Sequence, residues 1–187
     1  VEGWAGEGGA ELGTRREIPN TRDLYAVSRA LEDNHIDALL VIGGYSAYEG
    51  IHTMTTERDR YPAFRIPTVC IPASIDNNLP GSELSIGADT ALNVIVEAMD
   101  KVKESGIASR RCFVVETMGR DCGYLALMSG IAAGAERIYT NEDGISLDDL
   151  VNDVHWLRES FAHGRRLFLA VRNENASHNY TTDFIAR

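Results

Sequence analysis

Lysine is nearly absent from this sequence: of its 18 basic residues only Lys101 and Lys103 are lysines, and the rest are arginines. No block of basic residues is present, and the formal net charge is −10, which argues against nucleic acid or an anionic membrane as the main partner. Single arginines can still hold phosphates, because the guanidinium fork matches phosphate oxygens, although an arginine-rich composition can equally reflect the base composition of a genome. Cysteine is scarce. Cys70, Cys112 and Cys122 form no metal-type cluster, and with two of them in apolar runs they are expected to be reduced, packed thiols of a cytosolic protein. There is no signal peptide and no apolar run of spanning length, so a soluble chain is expected. Internal repeats and low-complexity segments are also missing.

What is present suffices for one core: 187 residues, 44% of them hydrophobic, make a single domain the default. Residues 1–20 are glycine-rich and begin abruptly, as an excised piece would. Leu24, Val27 and Leu31 then predict a helix over 21–34, with Asn20 or Thr21 as its cap. Ile36 to Ile42 predicts a strand of the near-continuous apolar kind expected in a sheet covered on both faces, and Gly43-Gly44 ends it. A helix is expected up to Arg60, and a strand over Ile66 to Ile71. Leu92, Ile95, Val96, Met99 and Val102 share one face of a helix over 89–105 that Ser105-Gly106 is expected to close. Further strands are predicted over 112–117, 138–140 and 167–171. Helices are predicted from Gly123 to Gly134, and from a Ser146 cap through Leu150, Val154 and Leu157 to near Gly164, with one more helix at the end. His155 and His163 are expected to decorate that penultimate helix rather than bind metal. Strands alternating with helices across short connections predict an α/β fold with an open, mostly parallel, Rossmann-like sheet and helices on both faces.

The most polar connection follows the strand that ends at Ile71. It offers Ser74, Asp76, Asn77, Asn78, Ser82 and Glu83 between a buried strand and a helix, where α/β sheets collect ligands. Spacing alone leaves a plain polar loop with turns at Pro72 and Pro80-Gly81 equally open.

Ser74-Ile75-Asp76-Asn77-Asn78, followed by Pro80-Gly81-Ser82-Glu83 and by Ser85-Ile86-Gly87-Ala88-Asp89-Thr90-Ala91-Leu92-Asn93, resembles the sugar-phosphate loop of the ATP-dependent 6-phosphofructokinases. Other motifs match in the family's order along nearly the whole chain. The resemblance is nearest to the C-terminal, regulatory half of the long eukaryotic-type enzymes, which implies a chain truncated before its second lobe. It implies that Asp76 occupies the position of the base that takes the proton from the sugar 1-hydroxyl. Arg16 matches the arginine facing the phosphate. Met118-Gly119-Arg120 matches the sugar-contacting turn, Glu174 the sugar-contacting glutamate, and Arg111 an arginine that reaches a neighbouring subunit's site.

Two departures separate this chain from catalytic members. Catalytic units continue after the glycine pair with Asp-Gly-Ser, serving magnesium and nucleotide phosphates, whereas here Gly44 is followed by Tyr45-Ser46-Ala47. A tyrosine cannot replace a carboxylate as a hard-cation ligand, and a side chain at Ser46 obstructs close approach by phosphate. Asn78 stands where catalytic units carry aspartate. The resemblance therefore implies a regulatory sugar-bisphosphate site, notably for fructose 2,6-bisphosphate, with no cofactor bound by this piece and with magnesium and ATP serving the parent enzyme. It also implies a cytoplasmic homo- or hetero-oligomer, a tetramer or larger. A catalytic unit with an unusual phosphoryl donor, and an unrelated α/β sugar-phosphate-binding module, are the alternatives.

Overall fold

The computed structural model describes residues 3, 6, 13, 14 and 17–187. They fall into two compact units, 1–71 and 72–187.

In the first unit, α1 (Thr21–Asp33) starts at Asn20, whose side chain accepts from the Arg22 and Asp23 amides while Asp23 reaches back to the Asn20 amide. This reciprocal cap satisfies donors that a helix start leaves open. Leu24 and Leu31 of α1 form a core with Met54 and Phe64. Strand β1 (Leu39–Gly43) is shorter than its apolar run, because the Ile36 amide bonds back to Leu31 O (2.9 Å) and closes the helix instead of joining a ladder. Leu40 and Ile42 remain exposed, so β1 is covered on one face, not on two. Helix α2 (Tyr45–Thr56) stops before Arg60, and a 3₁₀ turn (Pro62–Phe64) follows. Strand β2 (Thr68–Pro72) pairs with β1 and begins after Pro67, which has no amide to donate.

The second unit holds α3 (Ala88–Ser109), β3 (Arg111–Thr117), α4 (Tyr124–Ala133), β4 (Arg137–Tyr139), α5 (Leu147–Ala162), β5 (Leu167–Asn173) and a one-turn α6 (Thr182–Ile185). The strands are parallel, in the order β3-β5-β4, so the last strand in sequence lies between the other two. The fold is thus the expected α/β architecture, its strands divided over two sheets. Alternation along β3 and β5 assigns the faces. Phe113, Val115, Leu169 and Val171 pack with Met99, Ala126 and Ala133 on the side of α3 and α4. Val114, Phe168 and Ala170 pack with Leu150, Trp156 and Leu157 on the side of α5.

Three sequence expectations are corrected here. Gly106 does not close α3: the helix runs on to Ser109, and Arg110 (φ 53°) takes the left-handed cap. Gly106 lies inside the helix where a Cβ would stand 2.5 Å from Leu167 Cδ1, so its role is close packing against the sheet. Val154 is exposed, and Asp153 takes the core-facing place, held by Arg137 and by Tyr139 Oη (2.7 Å). Burial and the Asp153 carboxylate push the Tyr139 hydroxyl well above its ordinary range. Finally, all three cysteines are free, as expected, but Cys112 keeps an exposed surface. Desolvation of its thiol and then the Glu136 charge push that pKa up to about 11. Among the described residues no helix is long and apolar enough to cross a membrane.

Candidate functional site

The predicted site residues that the structure describes fall in both units. In the first unit, Gly44 is the N-cap of α2 and gives it no side-chain cap, and Tyr45 is the first helical residue, 59% exposed. The carbonyl of Gly44 accepts from the Ala47 (3.0 Å) and Tyr48 (3.2 Å) amides, so the helix begins at once. Ser46 is partly buried. The loop offers main-chain donors and a phenol but no carboxylate, and these residues do not fit a magnesium-bound nucleotide.

In the second unit the residues lie at the carboxyl ends of β3 and β5 and in the loop after β2. Thr117 ends β3 opposite Asn173 of β5, so the two following segments leave the sheet side by side. The Glu174 amide donates to Thr117 O (2.9 Å). Its carboxylate Oε1 accepts from the Gly119 (3.1 Å) and Arg120 (2.8 Å) amides. Both turn residues have positive φ, 139° at Gly119 and 49° at Arg120. A Cβ at Gly119 would stand 2.4 Å from Cys122 O and 2.7 Å from Asn173 Nδ2, so only glycine fits. Asn173, fully buried, donates from Nδ2 to Cys122 O (3.1 Å) and ties down the far side of the same turn.

The loop after β2 folds around its own side chains. The Asp76 amide donates to Ser74 Oγ (3.3 Å). Asn77 takes a left-handed conformation (φ 51°), which asparagine tolerates better than most residues. Its Oδ1 accepts from the Ser85 amide (2.8 Å), and its Nδ2 donates to Glu83 O (3.2 Å). Asn77 therefore closes the loop. Buried Leu79 anchors it, and Ile75 is exposed. The Asn78 Oδ1 is buried with no hydrogen-bond partner among the described residues. Cys122 Sγ lies 3.8 Å from Asn77 O, joining this loop to the turn after β3.

These contacts bring Asp76 and Arg120 together: Arg120 Nε stands 3.8 Å from Asp76 Oδ2, with the Asp76 side chain mostly buried and that of Arg120 half exposed. Asp76, Arg120 and Glu174 thus form one cluster, with Met118 exposed beside it. Arg111 is not part of it. It opens β3, six residue steps before Thr117 and roughly 20 Å away along the strand, and is exposed. Arg16 lies outside the described residues. Sequence reading missed Asn173, which appears there only as a polar residue ending an apolar strand, and Cys122, which has no motif at all.

The family model described as phosphofructokinase matches residues 1–187. The rat platelet-type ATP-dependent 6-phosphofructokinase is 46% identical over 186 residues, covering 99% of this chain and 24% of that protein. An ATP-dependent 6-phosphofructokinase of Dictyostelium discoideum is likewise 46% identical, over 99% of this chain and 22% of its own length. The crystal structure of Pichia pastoris phosphofructokinase in the T-state superposes with a TM-score of 0.93 at 42% identity, over 98% of this chain and 21% of that one. This chain spans about a quarter of the length of such relatives.

Proposed function

The chain belongs to the phosphofructokinase family, and from that premise we propose that it is part of a glycolytic 6-phosphofructokinase in which this piece serves as a regulatory sugar-bisphosphate site. The observation that carries the reading is the cluster of Asp76, Arg120 and Glu174, built at the carboxyl ends of parallel strands and braced by buried Asn173. Arg120 offers a charge-assisted donor to a phosphate, and Glu174 Oε2, without a partner among the described residues, is an acceptor for a sugar hydroxyl. Fructose 2,6-bisphosphate is the ligand this chemistry and the family likeness favour.

Charge then bears on assembly. Among the described residues the cluster sets two carboxylates against one guanidinium, whereas each phosphate of the ligand carries about −1.5 to −2 charges. Further cations have to come from elsewhere. Arg16 is one source, and Arg111 of a neighbouring subunit is another, so the complete site belongs to a homo- or hetero-oligomer. Calorimetry on the complete protein tests this: fructose 2,6-bisphosphate binding is expected to weaken in Arg120→Ala, Glu174→Ala and Arg111→Ala. Mixing the last two variants is expected to restore some intact shared sites. Unchanged affinity in both Arg120→Ala and Glu174→Ala would remove the site.

One observation favours a second reading, a catalytic unit with an unusual donor: Asp76 keeps the carboxylate of the sugar-activating base. Sustained phosphoryl transfer by this part of the protein, abolished by Asp76→Asn, would replace the regulatory reading with this one.

A further inference from the structure

Arg172 is 2% exposed, and a charge buried so completely requires partners. It is the next-to-last residue of β5, paired in register with Glu116 of β3, and its side chain leaves the sheet on the face of Phe168 and Ala170. Its Nη1 donates to the Glu116 carboxylate and to Thr182 Oγ1 (3.1 Å), and Thr182 also donates to Glu116. Its Nη2 donates to Glu174 O (3.3 Å) and Ser177 O (3.0 Å). One guanidinium therefore holds the start of the segment 174–181, its middle, and the first residue of α6.

Glu174, the residue so held, in turn accepts from both amides of the Gly119-Arg120 turn. That turn is left-handed at both positions and depends on its surroundings to stay so. We infer that Arg172 is a positioning residue for the sugar-phosphate site: its fork fixes the Glu174 main chain, Glu174 fixes the turn, and the turn aims Arg120 at the ligand. This deepens the proposed function and rests on it for the identity of the ligand. The requirement is for arginine specifically, because a planar fork can reach a carboxylate and two carbonyls at once, whereas a lysine ammonium is a single point.

The experiment combines two readouts on the complete protein. Hydrogen–deuterium exchange follows peptides covering residues 118–123, and calorimetry follows fructose 2,6-bisphosphate. Arg172→Lys keeps the charge and loses the fork. The expected result is faster exchange in those peptides and affinity reduced about tenfold, the scale of one lost hydrogen bond to a charged group. In a Glu174→Ala background, Arg172→Lys is expected to cause no further loss of affinity, since its effect passes through Glu174. A merely structural role would lower the melting temperature while leaving exchange and affinity of the folded protein unchanged, or would give equal losses in both backgrounds. Either result overturns the inference. Glu116→Gln, at a side chain 45% exposed, covers the case in which Arg172→Lys does not fold. It is expected to speed exchange of the same peptides to a smaller extent, and unchanged exchange overturns the inference. If the unaltered protein binds no sugar bisphosphate, the functional reading fails, while the exchange measurement still decides whether Arg172 holds the turn.

Discussion

The loop after β1 and the polar cluster at the ends of β3 and β5 both begin where a strand gives way to a turn, yet they are held together by different means. Around Gly44 and Tyr45 the bonds among the described residues are main-chain contacts spanning three or four residues, as from Ala47 and Tyr48 to Gly44. Around Glu174 they cross about 55 residues of sequence and run through side chains, from Arg172 to Glu116 and from the Gly119 and Arg120 amides to Glu174. A loop of the first kind can differ in its side chains, as at Tyr45 and Ser46, while the helix after it starts normally. A site of the second kind is coupled, because Glu174 holds the Gly119-Arg120 turn.

The largest expected effect is that of Gly119→Ala, which breaks the second kind of site at its tightest point. The added Cβ would collide with Cys122 O at 2.4 Å in a conformation with φ of 139°. A cost of about 3 kcal/mol or more in unfolding free energy is expected, with loss of measurable bisphosphate binding, checked by urea denaturation and calorimetry. A stability close to that of the unaltered protein would show that the turn is not fixed. Next in size, Arg120→Ala and Glu174→Ala are each expected to lower bisphosphate affinity by about 1.5–3 kcal/mol, on the order of tenfold to a hundredfold, with the larger loss at low salt for Arg120.

A smaller change of opposite sign sharpens the comparison. Asp76→Asn removes a negative charge that lies 3.8 Å from Arg120 and repels phosphate. Affinity for the bisphosphate is expected to rise by up to about tenfold, under 1.4 kcal/mol. A fall would instead mark Asp76 as a direct acceptor from the ligand. The smallest effect is expected in the other loop. Tyr45→Ala, at a ring that is 59% exposed, is expected to change stability by less than about 0.5 kcal/mol and to leave bisphosphate binding and ATP turnover of the complete protein unaltered. A drop in turnover would mean that this loop still serves a nucleotide.

Sequence alone determined what short-range physics controls. The apolar runs became strands, Asn20 and Ser146 became helix caps, and the contiguous motif around Asp76 identified the loop that carries it. Contiguity also made the family likeness legible, because each motif occupies a few adjacent residues. Tertiary structure decided everything that depends on a partner distant in the chain. A periodic pattern marks Gly106 as a helix end, but only the approach of Leu167 and Phe113 shows it to be a packing position inside α3. In sequence Arg172 is only the charge that follows the apolar run 167–171, whereas Glu116, Thr182 and two carbonyls let it be buried. The motif names Glu174 as a ligand contact, and the fold adds that one of its oxygens already holds the turn presenting Arg120. The physical reason is common to these cases: local propensity acts through neighbours in the chain, while burial, charge and hydrogen bonding act through neighbours in space, and a single sequence reports only the first.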